Sequence, residues 1–118
     1  MEKEPVTING ILAYLERAVA EREVLSAHDW LKYAQMMTVL LGAESSLLYK
    51  LQQEVAQIKL SYLNAQEKIN ATEAKIRTEA RDEYRKMHEQ KAKIDRVIEM
   101  VRISKLQARL ADSEARSY

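Results

Sequence analysis

The chain has 118 residues, which is enough for one ordinary domain and too few for two. It contains no cysteine, so disulfide frameworks and thiolate chemistry are excluded. Charged residues make up 31% of the chain but the formal net charge is only +1, a mixture that is typical of long helices and does not by itself establish nucleic-acid binding.

The first predicted helix covers about residues 7–23. Thr7 and Asn9 are both good N-caps, because their side-chain oxygens can accept from backbone amides of the first turn. Apolar residues then recur at spacings of three and four, which predicts one buried stripe: Ile8, Ile11, Leu12, Leu15 and Val19.

The second predicted helix covers about residues 26–63. Ser26 can cap it by accepting from the amide of Asp29, and we expect Trp30 to pack on the first helix rather than to bind a base. A heptad pattern follows and predicts a coiled-coil seam: Met37, Leu41, Glu44, Leu48, Leu51, Val55, Ile58 and Tyr62.

Residues 64–72 form the predicted turn, in which Asn70 is a candidate N-cap for the next helix. A continuous helix is the alternative, because no Gly or Pro forces a break in this stretch. The third predicted helix runs over about residues 72–112, and residues 113–118 are expected to be a frayed tail. A second heptad series marks its seam: Ala80, Tyr84, Met87, Lys91, Ile94, Ile98, Val101, Lys105 and Ala108.

The two seams can pair in an antiparallel hairpin. A turn centred near residue 68 brings Glu44 opposite Lys91, and a buried polar pair of this kind can fix the register of two helices. We therefore predict one all-α domain, a short N-terminal helix followed by a long coiled-coil-like hairpin. Because an elongated seam buries little apolar surface, we expect the chain to form a homo-oligomer.

No arrangement of residues indicates catalysis. His28 and His88 are the only histidines, and HExxH, GxSxG and Gly-rich phosphate motifs do not occur. We expect no enzymatic activity, no cofactor and no metal. No apolar run approaches the roughly 18 residues of a membrane span, so we expect no membrane contact and a cytoplasmic location, in the host cell if the chain is phage-encoded.

The C-terminal half carries most of the basic charge. Residues 64–118 contain thirteen Lys and Arg against ten Asp and Glu, whereas residues 1–63 contain six against eight. Arg77, Arg81 and Arg85 recur every four residues and could grip successive phosphates, but interleaved acids could equally hold them in intrahelical ion pairs. The full candidate set for nucleic acid is Lys59, Lys75, Arg77, Arg81, Arg85, Lys86, Arg102, Lys105 and Arg109.

Three short segments resemble phage recombination mediator proteins of the UvsY family. They are the Thr-Glu-Ala-Lys of residues 72–75, the charged residues 81–86, and an apolar stretch that closes at residues 103–106. The resemblance covers roughly residues 30–110. It implies ring-like oligomers that bind single-stranded DNA and help load a RecA-type recombinase onto strands coated by single-strand-binding protein. Lys59 matches the first residue of the family's Lys-x-Arg segment, but Ser61 stands where the Arg would be.

Two other interpretations stay open. The chain could be a phage-encoded helical inhibitor, adaptor or assembly protein that binds another protein and not nucleic acid, through an exposed apolar face. It could also be an oligomeric coiled coil with a purely structural role. The acids interleaved along the third helix favour both of these, whereas the charge asymmetry favours nucleic acid.

Overall fold

The computed structural model describes residues 7–65 and 70–116, with side chains through residue 114. Within these ranges the chain is helical and contains no strand. The helices are α1 (Ile8–Ala20), α2 (Ala27–Leu63), α3 (Ala71–Glu79) and α4 (Asp82–Arg116). The long helices α2 and α4 pack against each other, which confirms the all-α hairpin.

Three predicted caps are present at the starts of helices. Thr7 Oγ1 accepts from the Gly10 amide at 3.1 Å before α1. Ser26 Oγ accepts from the Asp29 amide at 3.0 Å before α2. Before α3, Asn70 Oδ1 accepts from the Glu73 amide at 2.8 Å. Each cap satisfies a backbone donor that lacks an intrahelical partner, so local chemistry sets these boundaries.

The first helix ends three residues earlier than predicted. The amide of Glu23 donates to the Ala18 carbonyl at 2.9 Å, and the amide of Arg22 donates to the Val19 carbonyl at 3.3 Å. Arg22 adopts φ 53° between them. This pattern of a left-handed residue with two backward hydrogen bonds is the Schellman motif, which terminates a helix even when the residue is not Gly.

The third predicted helix is interrupted, so its prediction as one continuous element was wrong. The break lies at Ala80 and Arg81, where the Arg81 amide donates to the Thr78 carbonyl at 3.1 Å, three residues back. Thr78 Oγ1 also donates to the Ala74 carbonyl at 2.7 Å, and such back-bonding by a threonine bends helices.

The predicted bounds of the turn agree with the observed helix ends, whereas the predicted bounds of the tail do not. Helix α2 ends at Leu63 and α3 begins at Ala71, as a turn over residues 64–72 requires, although residues 66–69 of that turn lie outside the described residues. Helix α4 continues through Arg116, so the frayed tail was wrongly predicted for residues 113–116, and residues 117–118 are again outside the description.

The single predicted domain divides into two compact units. The first, called the α1 unit here, comprises Met1–Gly42 and Asp95–Tyr118, and the second, the α3 unit, comprises Ala43–Ile94. The α1 unit has a packed apolar cluster. Trp30 is 3% exposed in that cluster beside the α1 residues, as predicted, but Ala18 is buried in place of the predicted Val19.

The seam of α2 is confirmed at every predicted position. Met37 is buried, and the other seven members are half-buried. The neighbouring Val39 and Tyr49, by contrast, are 78% and 64% exposed. A spacing of alternating four and three residues therefore suffices to place this face, because it keeps one side of the helix against its partner.

The seam of α4 is confirmed at only part of its predicted positions. Met87, Ile94, Val101 and Ala108 are buried or half-buried, and Tyr84 is half-buried. The remaining four predicted members are exposed: Ala80, Lys91, Ile98 and Lys105. Buried residues one position earlier take the place of the last three of these: Gln90, Val97 and Ser104. This shift by one residue turns the buried face of the helix away from Lys91 and Lys105. The ammonium groups of both lysines therefore stay in water, which avoids the free-energy cost of burying an unpaired charge.

Candidate nucleic-acid interface

The nine predicted basic residues are all exposed, but the fold does not bring them into one unit. Arg102, Lys105 and Arg109 belong to the α1 unit. The other six belong to the α3 unit: Lys59, Lys75, Arg77, Arg81, Arg85 and Lys86. We therefore treat the six residues of the α3 unit as the candidate interface and call them the basic set.

The three arginines of the predicted stripe do not lie on one continuous helix. Arg77 is in α3, Arg81 is in the break, and Arg85 is in the first turn of α4. A constant spacing of four residues implies a single stripe only where the helix is uninterrupted. The interpretation of these residues as one regular row of guanidinium groups was therefore wrong, although all three remain at the surface of the α3 unit.

Arg77 and Arg85 both have carboxylates of their own helix nearby. Arg77 Nη2 is 2.9 Å from Glu73 Oε1. Arg85 contacts Asp82 at 3.6 Å and Glu89 at 3.9 Å. These are the ion pairs at spacings of three and four that the sequence left as an alternative to phosphate binding. Because both partners are exposed, each pair contributes at most about 1 kcal/mol and can be displaced by a competing anion.

Arg81 connects the start of α4 with the end of α2. Its Nε lies 3.3 Å from Glu83 Oε2, and its Nη1 donates to the Tyr62 hydroxyl at 3.3 Å. The hydrogen bond with Glu83, followed by that with Tyr62, raises the pKa of Arg81, and Arg81 in turn lowers the pKa of Glu83. Arg81 therefore stays cationic while it holds the two helix ends together.

Lys59 and Lys75 are the two lysines that match segments of the UvsY family, and their surroundings differ. Lys75 Nζ lies 4.0 Å from Glu79 Oε1. Lys59 is exposed on α2, and no carboxylate lies within 4.0 Å of it among the residues that the structure describes. Two residues on, the Ser61 hydroxyl donates to the Gln57 carbonyl at 2.9 Å. The position where the family has Arg is thus occupied by a side chain that bonds to its own helix.

Aromatic rings accompany the basic set in the α3 unit. Tyr49 is 64% exposed on α2. On α4 the rings of Tyr84 and His88 meet edge to face with centroids 4.4 Å apart, and His88 is exposed. Sequence reasoning had assigned Tyr84 to the seam and had given His88 no functional role. Their spacing of four residues, which places two side chains on one helix face, was the signal for this pair.

The predicted pair of Glu44 and Lys91 does not form. Glu44 Oε2 accepts from Gln90 Nε2 at 2.7 Å and lies 3.2 Å from Lys93 Nζ, whereas Lys91 is exposed. Gln90 Nε2 also donates to the Glu44 carbonyl at 2.9 Å. The hydrogen bond from Gln90 lowers the pKa of Glu44 most, with help from Lys93 and against the effect of burial. A polar contact does occupy this point of the seam, but with other partners.

Two arginines of the α1 unit, Arg96 and Arg102, are paired with carboxylates. Arg102 Nε donates to Glu99 Oε2 at 3.1 Å, which raises the pKa of Arg102 and lowers that of Glu99. Arg96 of the same helix pairs with Glu16 of α1. For Lys105 and Arg109 the described part of the chain offers no carboxylate within 4.0 Å.

Other kinds of site find no support in the described ranges. Residues 7–65 and 70–114 contain no group of three or more His, Cys, Asp or Glu side chains that could hold a metal ion. Among the described helices, none combines the length and apolar character that crossing a membrane requires.

Comparison with known proteins finds no matching family model, no matching curated protein and no matching solved structure. The resemblance to phage recombination mediators therefore rests on the three sequence segments alone.

Proposed function

We propose that the chain is a recombination mediator-like accessory protein that binds single-stranded DNA through the α3 unit and helps load a RecA-type recombinase onto strands coated by single-strand-binding protein. The observation that supports this most is the exposed basic set, whose six cations lie in one compact unit. Such proteins work as assemblies, so the proposal includes a homo-oligomer that presents several copies of this surface to one strand.

The charge balance of the two units favours the α3 unit as the DNA-binding part. Ala43–Ile94 contains ten Lys and Arg against eight Asp and Glu, a balance of +2, and the rest of the chain contains nine against ten, a balance of −1. Phosphates that replace carboxylates on these cations release counterions into solution, which gives an affinity that falls as salt rises.

Exposed rings supply a second contact for a single strand. Bases can stack on Tyr49 or beside the Tyr84–His88 pair, and stacking of one base on an aromatic side chain is worth about 1 to 3 kcal/mol. Duplex DNA keeps its bases stacked internally and cannot use these rings. The proposal therefore predicts a preference for single strands over duplex at equal salt.

A second candidate function is supported by the ion pairs of the α3 unit. Because Arg77, Arg81 and Arg85 each have a carboxylate within 4.0 Å, the surface is partly neutralised before any ligand arrives. A helical inhibitor, adaptor or assembly protein would need no free phosphate site. This alternative predicts that DNA affinity is absent even at low salt.

The test is fluorescence anisotropy of a labelled single-stranded oligonucleotide at low and near-physiological salt. We would compare the wild-type chain with a triple variant carrying Arg77→Gln, Arg81→Gln and Arg85→Gln. The matched control replaces the same number of cations in the α1 unit, by Arg102→Gln, Lys105→Gln and Arg109→Gln. Circular dichroism and light scattering would verify that helicity and assembly are unchanged.

The proposal predicts salt-sensitive binding by the wild-type chain, an affinity loss of about tenfold or more in the α3-unit variant, and a smaller loss in the control. Equal losses in both variants would mean that total charge, and not the α3 unit, determines binding. Absence of binding at low salt would overturn the proposal and favour the adaptor function.

A further inference from the structure

The α1 unit contains a groove that the proposed DNA-binding surface does not use. It lies between the connection from α1 to α2 and the C-terminal turns of α4, and it encloses about 490 Å³. A volume of this size is ordinary for a ligand or peptide site. Both of its walls belong to the α1 unit.

The floor of the groove is apolar and unusually open. Val24 is 98% exposed and Leu110 is 49% exposed, with Leu25 and the nearly buried Trp30 beside them. A β-branched apolar side chain that contacts almost nothing in its own chain gains stability from burial against another surface, at roughly 25 cal/mol per Å² of apolar area. The floor thus has the chemistry of a docking site.

The segment that carries Val24 is held in place before any partner binds. The Glu23 amide donates to the Ala18 carbonyl at 2.9 Å, and the Asp29 amide donates to Ser26 Oγ at 3.0 Å. These two bonds anchor the chain at Glu23 and Ser26, on either side of Val24 and Leu25. A preformed surface loses little conformational entropy on binding, which favours affinity.

The rim of the groove is acidic. Glu23 stands on one side and Asp112 and Glu114 on the other, and none of the lining residues that the structure describes is Lys or Arg. An apolar floor flanked by carboxylates complements a segment that presents apolar side chains and positive charge together. Electrostatic complementarity of this kind selects a basic partner over an acidic one.

We infer that this groove docks a basic amphipathic segment of a partner protein, with the partner's apolar side chains on Val24 and Leu110 and its ammonium or guanidinium groups beside Glu23 and Glu114. The mode is that of an amphipathic helix in a groove. The inference does not depend on DNA binding, because the groove and the basic set share no residue.

Binding in the groove can be followed by the fluorescence of Trp30, because Trp30 is the only tryptophan in the chain and lines the groove. The probe is a short synthetic peptide that contains no tryptophan, with Leu at helical spacing on one face and Lys on the other. A second peptide has Glu in place of every Lys. The expected result is a saturable change in Trp30 fluorescence with the Lys peptide, weakened by salt, and none with the Glu peptide.

A matched pair of variants locates the binding surface. Leu110→Gln alters the floor, whereas Leu106→Gln changes a residue of similar exposure, 45%, that does not line the groove. Because both side chains are about half exposed, both variants are expected to fold. Leu110→Gln should weaken binding of the Lys peptide by about tenfold, which corresponds to 1.4 kcal/mol, and Leu106→Gln should leave it within about twofold.

The charge contribution is tested by Glu23→Gln combined with Glu114→Gln, which should reduce both the affinity and its dependence on salt. Three results would each overturn the inference. The Lys and Glu peptides could bind equally, the two leucine variants could have equal effects, or neither peptide could change the fluorescence of Trp30. Light scattering that shows Leu110→Gln to dissociate an oligomer would overturn it as well, because a second copy of the chain would then occupy the groove.

Discussion

The two units differ in how much apolar surface they enclose. In the α1 unit three helices surround a cluster of eleven buried residues drawn from α1, α2 and α4. Within the described part of the α3 unit only Ala74 and Ile94 are buried apolar residues, and Thr78 and Gln90 are the buried polar ones. The α3 unit also contains parts of three helices, but α3 has only nine residues, and the α2 seam in this unit is left half-buried. The α1 unit therefore supplies stability and the α3 unit supplies accessible surface.

The largest expected effect comes from a truncation in the enclosed core. Leu15 is 0% exposed, so Leu15→Ala should lower the free energy of unfolding by about 2 to 5 kcal/mol, through lost apolar burial and the cavity left behind. Urea denaturation followed by circular dichroism measures this loss.

The matched change in the α3 unit is Leu51→Ala, at a half-buried seam position of α2. Since less of this side chain leaves water on folding, we expect a loss of about 1 kcal/mol. Equal losses at Leu15 and Leu51 would contradict the contrast between an enclosed core and an open seam.

An effect smaller than that of Leu15→Ala is expected from the polar contact in the α3 seam. Glu44→Gln removes the charge that Gln90 and Lys93 stabilise, and should cost about 1 to 2 kcal/mol at neutral pH. The pKa of Glu44 is lowered from its ordinary 4.5 on folding. This contribution is therefore present above that value and is lost as the pH falls through the lower folded pKa. Unfolding measured from pH 7 downward should show the two proteins converging in acid, and a constant difference would contradict this assignment.

The smallest expected effect has the opposite sign and lies in the α1 unit. Ser104 is 0% exposed, and its Oγ has no hydrogen-bond partner in the described part of the chain. Ser104→Ala should raise the free energy of unfolding by about 1 kcal/mol, because it removes an unsatisfied buried hydroxyl. Ser45→Ala, at an exposed position of α2, controls for helix propensity. A gain no larger than that of the control would refute the explanation.

Sequence patterns predicted the parts of the fold that local chemistry controls. The caps at Thr7, Ser26 and Asn70 follow from side chains that accept backbone amides, and the α2 seam follows from an unbroken apolar repeat. The α4 seam was less predictable because apolar, polar and lysine residues compete for adjacent positions. In that seam Gln90 is buried and Lys91 is exposed, because Gln90 bonds to Glu44, a residue 46 positions away in the sequence.

The sequence predicts which residues make up the candidate site, but not how the fold arranges them. Which cations are present is visible in the sequence, but their grouping depends on the break at Ala80 and Arg81, which no Gly or Pro announces. The contact between Arg81 and Tyr62 likewise joins two helix ends that are distant in sequence. Division into units then separates Arg102, Lys105 and Arg109 from the basic set.

Hydrogen exchange, read by mass spectrometry with and without a single-stranded oligonucleotide, tests the central claim most directly. Without DNA, amides of α1 and of residues 95–108 should exchange slowly and those of residues 71–89 faster, because local opening follows the amount of enclosed apolar surface. The oligonucleotide should slow exchange in residues 71–89 and leave α1 unchanged. Slowing confined to α1 and residues 95–114, or no difference at any position at low salt, would contradict the assignment of DNA binding to the α3 unit.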